Sequence, residues 1–423
     1  MKYFKTDGIR GEAYTELTLD LAYKIGLFFS NIKKQVVIGV DTRESSPEIA
    51  HAIYKGIGNK TKVIYAGIIP TPGLMYYSLN HDCFAIMVTA SHNLYKDNGI
   101  KIVENGAKIS KELMSDIEFF IDENINIEYK EEFKEDLITD KTVVNEYIDF
   151  IKGRIGNNRI DVLFDGANGA YSYILKELFD YDNLINCSPN GKNINLNCGS
   201  TDVSDLIHQL KLRKKELGIA FDGDGDRMIV VDKFNRVYQG DFLTYVYAVD
   251  LNQRGLLEGK TVVLTEISNP GILERLTSIG LYPIIVSVGD QNVTAALNNG
   301  YVIGGESCGH IINKTILPFS DGLANSIELV NLLKNNSKQL YEYLFDVKLY
   351  YYKNINIKID ENTTITTKTK SRINRFVKRK KIHLITRYSG TEKVLRLYLY
   401  QKNIKHIEHN ILRIMKMIKN DIR

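Results

Sequence analysis

Leu217-Gly218-Ile219-Ala220-Phe221 runs directly into Asp222-Gly223-Asp224-Gly225-Asp226-Arg227. The first five residues read as a buried strand, and the next six as the turn that leaves it. Open α/β sheets place their ligands at the carboxyl ends of strands, so this stretch suggests both a fold class and a place for chemistry. Three carboxylates at alternate positions repel one another unless a positive charge sits among them. Hard cations such as Mg²⁺ take oxygen ligands and complete their shell with phosphate oxygens. Arg227 adds a planar fork suited to a phosphate. An EF-hand does not fit: counting from Asp222, the sixth position is Arg227 where Gly is required, and the twelfth is Lys233 where Glu is required. The simpler alternative is an acidic surface turn.

Outward from this stretch, strand and helix signals alternate. Thr18 can cap a helix with Leu21, Ala22, Ile25, Phe28, Phe29 and Ile32 on its apolar face. Val36 to Val40 reads as a buried strand ending at Asp41. Ser46-Pro47-Glu48 starts a helix with proline at its first position. Residues 62–69 and 84–88 read as further strands. The order recurs with strands at 160–164 and 217–221, and again at 260–264 and 282–288. Such βαβα order implies α/β units with mixed, mostly parallel sheets. The last segment is β-rich, with Thr363 to Lys370 as a loop or edge. It closes on a helix whose face carries Ile404, Ile407, Ile411, Ile414, Met415 and Ile418. The expected architecture is three similar α/β units, 1–140, 141–240 and 241–345, plus a smaller α+β unit, 346–423, around a central cleft.

With 423 residues, 44% hydrophobic and 25% charged, the chain is ordinary globular material. A net charge of +4 is small for this length and does not point to nucleic acid. The densest basic run, Lys378 to Lys381, reads as a solvated surface segment. Cys83, Cys187, Cys198 and Cys308 form no C-x-x-C pair, which fits a reducing compartment. No signal peptide and no apolar run of the ~20 residues needed to span a bilayer is present. The expectation is a cytoplasmic protein with neither a membrane nor a nucleic-acid partner.

Three other turns carry chemistry. Thr89-Ala90-Ser91-His92-Asn93 follows the strand ending at Val88 and exposes a serine, with Lys101 shortly beyond. Serine needs a base or a metal to act as a nucleophile, and no GxSxG elbow is present. Gly304-Gly305-Glu306-Ser307-Cys308-Gly309-His310 offers groups for sugar hydroxyls or proton transfer. Arg387-Tyr388-Ser389-Gly390-Thr391-Glu392, with Arg396 beyond, describes a phosphate cradle. Taken singly, each also reads as a capped loop, tight turn or polar hairpin. Together they suggest a cleft handling a phosphorylated sugar.

These four elements, in this order and one per unit, resemble the α-D-phosphohexomutases over essentially the full chain. Phe4 to Gly11, Pro189 to Asn195 and Cys198 to Asp202 are most similar to the branch acting on hexosamine phosphates. The resemblance implies a phosphate shift between C6 and C1, interconverting glucosamine 6-phosphate and glucosamine 1-phosphate. Ser91 would carry a phosphate, and its phosphoryl oxygen with Asp222, Asp224 and Asp226 would hold one Mg²⁺. Arg227 would neutralise charge. Lys101, ahead of His92 and Arg10, would move protons. Glu306, Cys308 and His310 would grip the sugar, and Arg387, Ser389, Gly390, Thr391 and Arg396 the non-reacting phosphate. It also implies a hexosamine 1,6-bisphosphate as intermediate and activator, priming of Ser91 by a kinase or by self-phosphorylation, and a homodimer. The sequence departs from the family at Leu94 and Tyr388 (proline is usual), at Cys308 (Ser or Thr), and at Gln291, where a basic residue often follows Gly-Asp.

Rival readings are a glucose or mannose phosphate mutase of the same family, a phosphatase using Asp222 as nucleophile, and an inactive sugar-phosphate-binding protein.

Overall fold

The computed structural model describes residues 2–5, 8–133, 137–156, 160–359, 364–388 and 394–421. Among them the chain forms four sheets. The first is built from Phe4–Lys5, Gly8–Glu12, Asp97–Glu104, Phe84–Val88, Val36–Val40 and Val63–Ile68 in spatial order, with Ala107–Lys108 paired to Asp97–Glu104. Val36–Val40 runs parallel to both its neighbours, whereas Asp97–Glu104 is antiparallel to its own. The second sheet orders Val237–Tyr238, Met228–Asp232, Leu217–Phe221, Leu163–Asp165 and Leu184–Ile185. The third orders Tyr282–Val286, Thr261–Thr265, Ile303–Gly305 and Ile311–Asn313. The last is antiparallel, with Val394–Gln401 between Tyr351–Lys358 and His383–Tyr388.

The deciding stretch lies mid-sheet. Leu217–Phe221 pairs in parallel with Leu163–Asp165 and antiparallel with Met228–Asp232. Burial on both faces explains its unbroken apolar run. One hydrophobic cluster, with Phe221 and Val230 from the second sheet and Val262 and Leu264 from the third, joins those two units. Leu317 and Phe319 carry the third unit onto the first, beside Val37 and Met87. The last unit has its own core of Leu395, Leu397, Leu399, Ile411, Ile414 and Ile418.

Local signals held where a cap or proline set them. Thr18 accepts the Leu21 N–H and starts the helix Leu19–Phe28, and Pro47 lies in the first turn of Ser46–Ile57. Four boundaries moved. Ile160 and Val162 are buried, yet the ladder begins only at Leu163, because apolarity marks the core and not the partner strand. The strand expected at 282–288 ends at Val286. The stretch Thr363 to Lys370 is not a loop or edge throughout: Thr366 caps a helix, Thr367–Lys380. Ile404 is 58% exposed and precedes the final helix Ile407–Lys419, since His406 adopts a left-handed conformation (φ 73°) that breaks the periodicity. All four cysteines are free.

Candidate active site

The serine turn comes first because the rest converges on it. Ser91, expected to be exposed, is instead fully buried, because the acidic loop packs onto its turn; its φ of 53° is a left-handed conformation that its surroundings must hold in place. Its N–H donates to Thr89 Oγ1 at 2.9 Å, and Thr89 Oγ1 donates to Asp41 Oδ2 at 2.7 Å. Asp41 also receives Arg43 Nε at 2.8 Å. Arg43 is fully buried and donates to the carbonyls of Ser91, Asn93, Leu94 and Asp97. Asn195 Nδ2 adds bonds to the Ser91 and Asn93 carbonyls, at 2.9 and 3.0 Å. The turn is therefore fixed by an arginine and an asparagine from outside it, with the Leu94 carbonyl among the groups that Arg43 holds.

The acidic loop meets this turn directly. Ser91 Oγ donates to Asp222 Oδ2 at 2.6 Å. Asp222, Asp224 and Asp226 are all buried, and one carboxylate oxygen from each lies within 4.8 Å of the others. Burial first, then Asp226 and Asp224, push the Asp222 carboxyl well above its ordinary range; Arg227 and Ser91 pull it back. Lys101 Nζ, from the strand beside Phe84–Val88, reaches Asp224 Oδ2 at 2.8 Å and Asp226 Oδ2 at 3.0 Å. Thr71 clasps Asp224 twice, donating from Oγ1 to its carboxylate at 2.6 Å and from its N–H to its carbonyl at 2.8 Å. Gly225 has φ 81° and would set a Cβ 2.4 Å from the Tyr171 ring, so only glycine lets the loop turn there.

Arg227 ties three elements together. Its N–H donates to Asp222 Oδ1 at 3.2 Å, and its Nε lies 3.8 Å from Asp222 Oδ2 and 3.7 Å from Asp226 Oδ1. Arg227 Nη1 lies 3.1 Å from His92 Nδ1. A guanidinium can only donate, so His92 accepts at Nδ1 and its neutral ring carries the proton on Nε2. Arg227, then burial, then Arg10 hold this imidazole down to about 3. Arg227 also forms an antiparallel bridge with His310, and the Met228 N–H donates to the Gly309 carbonyl at 3.1 Å. The acidic loop and the Gly305 to His310 turn are thus neighbours.

In that turn Glu306 Oε1 accepts the Gly289 N–H at 2.8 Å, and His310 Nε2 stands 3.8 Å from Asp290 Oδ2. Cys308 is exposed, its sulfur 4.0 Å from Glu306 Oε2. From the last unit, Arg387 Nη2 donates to the Val288 carbonyl at 3.4 Å. Arg387 and Arg396 are directly opposed across two strands. Like charges so placed repel, and an anion between them would reverse that. Ser389, Gly390 and Thr391 lie outside the described residues.

Ser91, His92, Lys101, Arg227 and the three aspartates therefore form one cluster. Glu306 and His310 adjoin it through Arg227. Arg387 reaches the third unit through Val288. Sequence reasoning missed Arg43, Thr71, Asn195 and Asp290. The available signal for Arg43 was its place three residues past the end of a buried strand.

The acidic cluster fits a hard divalent cation: all-oxygen donors, mutual repulsion that lifts Asp222, and an Asp226 Oδ1 that is buried with no hydrogen-bond partner among the described residues.

Known proteins show the same pattern. Residues 1–128, 145–235 and 239–350 match, in turn, alpha/beta/alpha domains I, II and III of the phosphoglucomutase/phosphomannomutase family. A phosphoglucosamine mutase of Anoxybacillus flavithermus is 35% identical over 423 residues, with 94% of each chain covered. A phosphoglucomutase/phosphomannomutase family protein from Burkholderia thailandensis shares the fold with TM-score 0.79 at 22% identity, covering 100% of this chain and 98% of the other. An N-acetylphosphoglucosamine mutase of Aspergillus fumigatus, solved with GlcNAc-6P and magnesium, has TM-score 0.66 at 15% identity, covering 100% and 96%. The chain belongs to the α-D-phosphohexomutase family. It is accordingly an isomerase that relocates a phosphoryl group on a hexose phosphate.

Proposed function

We propose that this enzyme interconverts glucosamine 6-phosphate and glucosamine 1-phosphate through a phosphoserine at Ser91 and a 1,6-bisphosphate. The observation that carries the reading is the 2.6 Å bond between Ser91 Oγ and Asp222, inside a cluster that also holds Lys101 and Arg227. The name of the Anoxybacillus relative supports glucosamine as the sugar.

Ser91 phosphoryl oxygen, Asp222, Asp224 and Asp226 would hold Mg²⁺. Bound there, the ion supplies Lewis-acid polarisation of the phosphoryl group. The chain's own residues do the rest. A free sugar hydroxyl attacks the phosphorus of phosphoserine, a P–O bond forms to the sugar, and the bond to Ser91 Oγ breaks. Lys101 passes the hydroxyl's proton to Ser91 Oγ, with His92 Nε2–H and Arg10 beside the path. Arg227 offsets charge building on the transferring group. The bisphosphate turns over in the cleft, and its other phosphate returns to Ser91 by the reverse steps. Arg387 and Arg396, with Ser389, Gly390 and Thr391, hold whichever phosphate is idle. Glu306, Cys308 and His310 grip the sugar in both poses. Closure of the last unit excludes water that would hydrolyse phosphoserine.

We place unit boundaries near residues 140, 240 and 345, the enzyme in the cytoplasm, and priming of Ser91 with a kinase or the enzyme itself; we also expect a homodimer. The test is a coupled assay with Mg²⁺ and a trace of hexose 1,6-bisphosphate. It compares glucosamine 6-phosphate with glucose and mannose 1-phosphates, with Ser91→Ala as control. Preference for glucosamine 6-phosphate that vanishes in Ser91→Ala is expected. Faster turnover of glucose or mannose phosphate would change the substrate. Release of phosphate undiminished in Ser91→Ala would point instead to Asp222 as nucleophile and refute the mechanism.

A further inference from the structure

The helix Thr367–Lys380 is left unexplained by catalysis. Its apolar stripe, Thr369, Ile373 and Phe376, packs into the last unit's core. Of the eleven exposed positions between 367 and 381, eight are Lys or Arg and none is acidic. The whole chain is nearly balanced, with 55 basic and 51 acidic residues, so the excess is local. None of the eight lies at ion-pair distance from a carboxylate among the described residues.

Helix stability does not account for this charge. Lys378, Arg379 and Lys380 complement the dipole at the last turn, but Lys368 and Lys370 occupy the first turn, where positive charge is disfavoured and where the one acid, Asp421, comes from outside the helix. Arg372 and Arg375, and Arg375 and Arg379, are like-charge neighbours at helical spacing. A sequence that accepts these penalties along a solvent face is matched to an external anion.

The neighbouring helix Ile407–Lys419 widens the face. Arg413 crosses the seam, its guanidinium 5.1 Å over the Phe376 ring, and Lys416 and Lys419 continue outward. The two nearby acids are already engaged: Glu408 pairs with Lys353, and Asp421 accepts from Thr366 and Thr369. Ile404 and Leu412, next in sequence to Lys405 and Arg413, are 58% and 61% exposed. Two helices lying side by side make a broad face, not a single protruding rod. Neither helix turns a Phe, Tyr or Trp ring outward for stacking on bases, and His409 is the one exposed imidazole on either.

We propose that this face docks the enzyme peripherally on an anionic lipid bilayer, with basic side chains on the headgroups and Leu412 and Ile404 at the acyl boundary. The sequence, read for spanning segments, gave no membrane partner; a peripheral surface needs no span.

The test is sedimentation of the full-length protein with phosphatidylcholine vesicles, with and without about 30% phosphatidylglycerol, at about 50 and about 300 mM salt. Binding only to the anionic vesicles, weakened at least about tenfold at the higher salt, is expected. A variant with Lys368, Lys370, Arg375 and Arg379 each changed to Gln should lose binding and keep its Tm and its mutase activity. Equal binding to both vesicles, binding to neither, or retention by the folded variant overturns the proposal. Preference for a duplex oligonucleotide at equal phosphate concentration overturns it in favour of nucleic acid. If the variant does not fold, the wild-type lipid and salt series decides alone.

Discussion

Gly223 is the position where the structure makes its sharpest demand on a single atom. It separates Asp222 from Asp224 and faces the serine turn. A Cβ there would stand 2.6 Å from the Ser91 carbonyl oxygen, 2.7 Å from Ile194 Cδ1 and 2.8 Å from Asn195 Nδ2. Ordinary contact begins near 3.4 Å, so Gly223→Ala must open the two loops by about 0.8 Å. The Ser91 carbonyl cannot retreat freely, because Arg43 and Asn195 both hold it. The Ser91 Oγ to Asp222 bond, 2.6 Å long, would stretch past hydrogen-bonding range. Overpacking of this kind costs about 1–3 kcal/mol of stability. A displacement near 1 Å at reacting groups costs about 10²-fold in rate. The expected result is a kcat/KM about 100-fold down in the coupled mutase assay, with a Tm only a few degrees lower. Gly153→Ala is the control: it lies in the helix Lys141–Ile155 with open space around it, and should stabilise by about 0.5–1 kcal/mol with activity unchanged. Activity of Gly223→Ala within about threefold of wild type, at an unchanged Tm, would refute the reasoning that these loops must stay in register.

Burial pushes the Asp165 carboxyl up to about 7, against N–H bonds from Gly199 and Ala167. The folded chain then holds this proton more tightly than the unfolded one, so its contribution is fullest below about pH 4 and is lost as pH rises through 7. The loss is on the order of 4 kcal/mol, and Asp165→Asn should flatten the slope of Tm between pH 5 and 8; identical slopes would exclude it. Chelation should abolish activity and added Mg²⁺ restore it, while Mg²⁺ at 100 times its Kd should raise stability by about 2.7 kcal/mol in a thermal melt. Arg396→Ala removes one of the two guanidinium groups directly opposed across the strands. The same variant should raise KM at least about tenfold, the loss expected when a charge-assisted phosphate contact is removed; a lower Tm with unchanged KM would mean a structural role.

The acidic loop was legible because its signal is local. An apolar run feeding Asp-Gly-Asp-Gly-Asp fixes a strand, a turn and a charge cluster within eleven residues, and Leu217–Phe221 forms as read. The serine turn was legible as a place, since it follows the strand Phe84–Val88. Its conformation was not, because the left-handed Ser91 is held by Arg43, 48 residues earlier, and by Asn195, 104 residues later. Periodicity carries no information across such separations. The same limit explains the helix Thr367–Lys380. Its core-facing positions are Thr369, Ile373 and Phe376, with Val377 half-buried beside them, too sparse a stripe to stand out from a Lys/Thr-rich loop. The position of Lys101 follows from sheet register, which pairs it with Met87 beside the serine turn. Only the meeting of two units then brings its ammonium to Asp224 and Asp226, one charge from a strand set between two on a loop of another unit. A lysine placed there offsets part of the aspartates' charge in the protein alone, and must share them once a divalent cation enters. Lys101 is therefore poised to respond to the metal's charge, which gives the proton-transfer role proposed for it a physical basis that no spacing rule contains.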